Sequence, residues 1–373
     1  MKYLLALLFI CPLLLGAQQT RSPEGRADSI LRVAINLMDA GSYSESIAKL
    51  EEAKSVFPNP VYDYEIALAH YRSGDYGTAA KILRRVIKKG YREELCYTLL
   101  GNAYDLLGQR AKAMKTYDGG LKRYPDSGPL HLEKGIVFVN ENRLQDALNT
   151  WEKGLTVDPH YPSNFYQAAK MLTRTEERLW VLLYGEMFLN TEFNTRRTAE
   201  MSELLFKQYF DIYVPTSDTS GEFSLIGGRV LYIDLSALRD ADPQNSIAME
   251  KIFNSLLSFS QVASTKFMLT APLYQNGLPT IDNLIAIRSS FIDDWYADPT
   301  TPENYPNALL DYLHQVREAG HFEPYNYYIF RHALPEMFDI YLSIHRAEFE
   351  DFIGWYDVHN MDVENLPYSR LSY

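Results

Sequence analysis

The side chains best suited to chemistry gather toward the end of this 373-residue sequence. His345, Glu348 and then Asp351 or Phe352 step by three or four residues, so a helix would present them on one face. His332 and Asp339 lie just before them, and His321 and His359 flank the group. Imidazoles and carboxylates spaced in this way can bind zinc or a similar cation. The solvated face of an acidic helix has the same composition, and no metal is assigned. Asp293, Asp294, Glu348 and Asp351 could instead converge on one hydrolytic pocket. The signatures of such chemistry are missing. There is no phosphate loop ending in Gly-Lys-Ser/Thr, no helix with paired zinc-binding histidines and no Gly-x-Ser-x-Gly elbow. The expectation is a protein that is not an enzyme and carries no cofactor.

Aromatic side chains crowd the same region: Trp295, Tyr296, Tyr325, Tyr327, Tyr328, Phe330, Tyr341, Trp355 and Tyr356. Such rings can stack on sugars, but more often they fill a core, and core is the preferred reading. The charge is uneven. The net −12 of the chain comes from residues 200–373, which hold 25 Asp and Glu against 10 Lys and Arg. An acidic half of this kind argues against nucleic acid, whose affinity comes from neutralised phosphates. The basic run Arg84, Arg85, Lys88, Lys89 and Arg92 reads as a solvated helix face.

The elements that must position these groups follow a fixed period. Gly41, Gly74, Gly108 and Asn142 recur at intervals of 33, 34 and 34 residues, each at a helix–turn–helix corner. A small residue follows five positions later (Ser46, Ala79, Ala113, Ala147) and a large apolar one nine positions later (Leu50, Leu83, Tyr117, Trp151). Small residues let two antiparallel helices approach, and large ones fill the gap. A period in this range denotes stacked repeats.

The pattern resembles the tetratricopeptide repeat. Its eighth positions fall on Ala34, Ala67, Gly101 and Gly135, its eleventh on Leu37, His70, Tyr104 and Phe138, and its thirty-second on Pro58, Tyr91, Pro125 and Pro159. His70 and Tyr91 depart from it. A fifth pair of helices, 162–195, keeps the length but places Glu176 and Val181 where a corner glycine and a small residue belong. The stretch from Leu182 to Leu205 resembles a block of uncharacterised exported repeat proteins of Gram-negative bacteria. The resemblance implies a mainly α fold with a solenoid over 27–196; there the period stops, and residues 197–373 read as an acidic, mostly helical domain of unrecognised fold. That domain includes β-prone runs at 211–214, 222–226 and 229–235, a hairpin signal at Gly227-Gly228, and helices near 244–262, 278–296, 304–318 and 336–357.

The resemblance also implies a binding face. Ligands of that family lie along the first helix of each repeat. The mapped polar and aromatic positions are Tyr64, Tyr71, Arg72, Asn102, Asp105, Tyr166, Lys170 and Arg174, with Leu31, Ile35, Leu68, Leu132, Ile136 and Val139 among them. The family's clamp for acidic peptide tails is not reproduced, because Leu31 and Ile35 occupy its first positions. The expected partner is another protein or peptide, held by an open groove. The competing occupant is the acidic C-terminal half of the same chain.

Lys2 followed by the apolar Leu4–Leu15 and the small residues Gly16 and Ala17 reads as a signal peptide over 1–17, with a disordered leader over 18–26. The protein is therefore expected outside the cytoplasm, periplasmic or secreted. A lipid anchor at Cys11 is disfavoured because more apolar sequence follows it. No segment is apolar for the ~18 residues that a spanning helix needs. Cys96 would then be the only remaining thiol and reads as a small buried hydrophobe.

Overall fold

A computed structural model describes residues 22–91, 93–175, 177–217, 220–226, 231–234, 258–276 and 280–373. The expected signal peptide, the Gly227-Gly228 turn and most of the helix expected at 244–262 lie outside the described residues. The chain divides into two compact units, one ending at Gln109 and one running from Arg110 to Tyr373.

The first unit holds α1 (Pro23–Asp39), α2 (Tyr43–Val56), α3 (Pro60–Arg72), α4 (Tyr76–Lys88) and α5 (Glu94–Leu106). α1 begins at Pro23, inside the stretch expected as a leader, because Ser22 caps it by accepting from the Gly25 N–H and Pro23 suits a first helical position. Each corner has the same geometry. Gly41, Gly74 and Gly108 have φ of +79°, +86° and +71°, a left-handed conformation that costs glycine little. The next residue then donates back into the finished helix: Ser42 to Leu37, Asp75 to His70 and Gln109 to Tyr104, all at 2.8 Å. Between the helices of the first pair, Ala34, Ser46 and Leu50 are fully buried, and the Ser46 hydroxyl donates to the Ala34 carbonyl at 2.8 Å. Cys96 is also fully buried, and burial beside Glu93 pushes its thiol up to about 12, so it packs as an inert hydrophobe. Arg84, Arg85, Lys88 and Lys89 are exposed, as a solvated face requires. Arg92 lies outside the described residues.

The second unit continues with α6 (Arg110–Leu121), α7 (Gly128–Asn140), α8 (Leu144–Val157), α9 (Pro162–Leu172), α10 (Arg178–Leu189) and α11 (Arg196–Phe210). Asn142 replaces the corner glycine with φ 57°, and Arg143 donates back to Phe138 at 2.9 Å. α10 is buried on every side from Leu179 to Leu189. That explains why its sequence loses the repeat signature: a helix packed all round has no need of a narrow stripe.

Three strands follow, β1 (Tyr213–Ser217), β2 (Ser220–Phe223) and β3 (Leu231–Asp234), in one antiparallel sheet of order β1-β2-β3. The sequence marked a hairpin between the last two β-prone runs; among the described residues the first run pairs with them too, giving three strands. Tyr213 pairs with Phe223, and Phe223 also pairs with Leu231. The sheet is tied to α10 through the Leu179 N–H, which donates to the Leu225 carbonyl at 3.0 Å.

Beyond it lie α12 (Phe259–Met268), α13 (Ile281–Ala297), α14 (Ala308–Glu318), α15 (Phe322–Ile329), α16 (Pro335–Ile344) and α17 (Arg346–Tyr356). α15 was not among the expected helices; Pro324 lies in its first turn, where a proline displaces no hydrogen bond. The single helix expected at 336–357 is two, broken at His345, which turns the chain so that Phe338 and Phe349 meet edge to face at 5.4 Å. One core runs from Leu132 to Tyr368 and takes in repeat helices and C-terminal helices alike. Trp295, Tyr325, Tyr327, Phe330 and Tyr341 are buried in it, which makes these aromatics core rather than platform.

The closest approach in the fourth pair is Gly135 against Trp151. A Cβ at Gly135 would lie 2.1 Å from the indole Nε1, which donates to the Leu132 carbonyl at 3.0 Å. Gly135→Ala should therefore lower stability by about 1–3 kcal/mol, read by urea denaturation with tryptophan fluorescence.

Candidate functional site

The mapped binding positions fall into two groups with different fates. In the first unit, Asn59 caps α3 and Pro60 starts it, and the left-handed Gly74 corner ends it. Its last turn presents Tyr71 and Arg72. The Arg72 guanidinium reaches Asp39 on α1 at 2.7 Å, tying the ends of two first helices together. The Tyr71 ring stands edge-on to Tyr76 of α4 with centroids 5.3 Å apart. Tyr64 is half-buried, and burial with nearby Glu65 pushes its hydroxyl up to about 12, so it remains a neutral phenol able to donate. Burial also raises the Glu65 carboxyl. Asn102 and Asp105 are half-buried on α5. Among these polar groups Ile35 stays 38% exposed, and Leu31 and Leu68 are half-buried.

In the second unit the mapped positions on α9 are engaged by α11. The Tyr166 hydroxyl donates to Glu200 at 2.6 Å, and the Lys170 ammonium contacts the other Glu200 oxygen at 2.6 Å and the Tyr166 hydroxyl at 3.1 Å. Arg197 lies over the Tyr166 ring at 5.2 Å. Arg174 is exposed and stands apart from this cluster.

The residues considered for metal chemistry do not assemble. His345 sits at the break between α16 and α17, with Nδ1 3.7 Å from Glu348. His321 lies 4.0 Å from Asp351. Among the described residues no group of three or more His, Cys, Asp or Glu could hold a metal ion. The four acidic residues considered for hydrolysis do not converge either. Asp293 pairs with Arg317, Asp294 with the buried Lys266, and Glu348 and Asp351 face solvent at 62% and 81% exposure.

Two buried ionic clusters were not anticipated. Glu152 on α8 is fully buried. Arg370 grips both its oxygens at 2.8 and 2.9 Å, and the Tyr184 hydroxyl donates to it at 3.1 Å. Glu186 on α10 is 1% exposed, pairs with Arg288 of α13 and accepts from the Tyr325 hydroxyl at 2.8 Å. Arg288 also contacts Asn326, and the Tyr209 and Phe330 rings lie 5.4 Å from its guanidinium. Burial beside Glu186 holds the Tyr325 hydroxyl well above its ordinary value. One signal for this was present: Glu186 is the single charge in the apolar run from Leu179 to Leu189.

Removing one partner of a buried pair strands the other charge. Arg288→Met should cost about 3–5 kcal/mol, and adding Glu186→Leu should recover most of it, measured by denaturant melts of the single and double variants. The α9–α11 contact predicts a pH effect. Hydrogen bonds from Lys170, then Tyr166, lower the Glu200 carboxyl below its ordinary 4.5. Its stabilisation is thus complete above that value and is lost as pH falls through the lowered one. The melting difference between wild type and Glu200→Gln should close over that acidic window. It should not exceed about 1 kcal/mol, since the pair is half-exposed.

No helix among the described residues is long and apolar enough to cross a membrane. The family model described as "Tetratricopeptide repeat" matches residues 31–94 and again 64–128. No curated protein matches the chain. Similar solved structures include TTC0263, a thermophilic tetratricopeptide-repeat protein of Thermus thermophilus, 18% identical over 48% of this chain and 98% of its own, with a TM-score of 0.41. PilF of Pseudomonas aeruginosa is 16% identical over 51% of this chain and 86% of its own, with a TM-score of 0.43. PilW, a widely conserved type IV pilus biogenesis factor, is 18% identical over 49% and 84%, with a TM-score of 0.40. The doubly matched segment, its constant corners and its paired helices agree, and residues 31–128 of the chain are tetratricopeptide repeats.

Proposed function

We propose that this protein is an exported, non-catalytic scaffold that holds a peptide or protein segment against the first-helix face of its first unit. The fold is one of protein–protein interaction. The observation that carries the reading is the contrast between the two groups of mapped positions. On α9, Tyr166 and Lys170 are spent on the chain's own Glu200. On α1, Ile35 remains 38% exposed, and α3 offers Tyr64, Tyr71 and Arg72, a mixture of apolar surface with tyrosine and arginine that suits a binding hot spot. Asn102 and Asp105 would add oriented polar contacts, which give specificity where the apolar surface gives affinity. Export rests on the basic start and apolar run of residues 2–15, and the compartment is periplasmic or extracellular.

Affinity capture from cell-envelope extract tests this. Tyr71→Ala with Arg72→Ala should reduce recovery of the captured partner about tenfold or more, with far-UV circular dichroism unchanged. Equal recovery by wild type and variant would count against this face.

A further inference from the structure

The second unit carries a cleft of about 210 Å³ walled by Asn190, Phe193, Tyr312 and Tyr356, with Asp357, His359 and Asn360 at its rim. Its walls are fixed in advance. The Tyr356 hydroxyl donates to Asn190 Oδ1 at 3.0 Å. Asn190 Nδ2 in turn donates to the Tyr325 hydroxyl at 2.9 Å and to the Glu186 carbonyl at 2.8 Å. The cleft is thereby wired to the buried Glu186–Arg288 pair, and the amide cannot turn without breaking that chain. The His359 ring stacks on Trp355 at 4.2 Å with Nδ1 against the Trp355 carbonyl, which leaves Nε2 for a ligand. Phe193 stands edge-on to Tyr356 at 6.3 Å and is 47% exposed. Tyr312 lines the cleft and is otherwise buried, 2% exposed.

The lining selects the chemistry. It contains no lysine or arginine, so it offers no counter-charge to a phosphate or carboxylate. A purely apolar ligand would make no use of the Tyr312 hydroxyl, the Asn360 amide and the Asp357 carboxylate that line the cleft. What fits is a neutral ring with apolar C–H faces and hydroxyls around its edge. The faces lie against Phe193 and Tyr356, and the hydroxyls, each both donor and acceptor, meet the mixed set of polar groups. The volume suits one such ring and is smaller than the ~300–1,000 Å³ of pockets for larger ligands. We propose that this cleft binds a single pyranose ring of a neutral glycan, independently of the face on α1 and α3.

Saturation-transfer NMR on the full chain tests it, with the methyl glycosides of glucose, galactose, mannose and N-acetylglucosamine as probes and with choline and inorganic phosphate as contrasts. At least one glycoside should bind saturably at millimolar concentration. Phe193→Ala and Asn360→Ala, both on exposed side chains, should each weaken it about fivefold to tenfold without lowering the melting temperature. Tyr312→Phe should weaken it too, since only the hydroxyl is lost. The proposal is overturned if no glycoside saturates, if affinity is the same in wild type and Phe193→Ala, or if choline or phosphate binds and the sugars do not.

Discussion

Glu152 and Glu186 sit on the second helices of the fourth and fifth helix pairs, 0% and 1% exposed, and each meets an arginine from far along the chain. A carboxylate so deeply buried is intolerable alone, because moving one charge out of water costs several kcal/mol even after relaxation. The second unit must therefore bring Arg288 and Arg370 to these helices, and much of its architecture serves that end. α13 supplies one guanidinium. The segment after α17 supplies the other, pinned by the Tyr368 hydroxyl on the Leu155 and Thr156 carbonyls and by Ser369 on Thr156. The repeat helices and the C-terminal helices consequently share one core from Leu132 to Tyr368.

This arrangement also sets where binding surface is left. Among the described residues, α10 is wrapped on all sides and α9 is occupied by Glu200 and Arg197, so the fifth helix pair works as structure. A solenoid's end must be capped by something polar or covered, and here the chain covers it with itself. The first unit, whose helices pack mainly on their chain neighbours, keeps Ile35 partly open.

What could be read from the sequence follows from the range of the physical rule. The corner residues, the buried Ala67, Ala79, Leu83 and Ala147, the close approach of Gly135 to Trp151 and the buried Cys96 obey local, periodic constraints, and they stand as the spacing implied. The break at His345, the helix over Pro324 and the pairing of β1 depend on what the chain packs against, which no local pattern encodes. The same holds for the sites. Tyr166 and Lys170 were found by family position, but nothing in their neighbourhood announces Glu200, because the period has stopped by then. Glu186 stood out as a lone charge in an apolar run, whereas its partner lies 102 residues away, with no spacing rule to find it.

The Arg370 clasp has a consequence for how the protein is made. A chain synthesised from its N-terminus can complete the first unit's contacts between neighbouring helices as they emerge. α8 is delivered early, with an ionised glutamate that has no counter-ion until Arg370 has left the ribosome. The second unit therefore closes as a late, all-or-nothing event that couples segments 218 residues apart. A message cut short just before the Arg370 codon would yield a chain with its first unit intact but its Glu152 carboxylate stranded, a species marked for proteolysis.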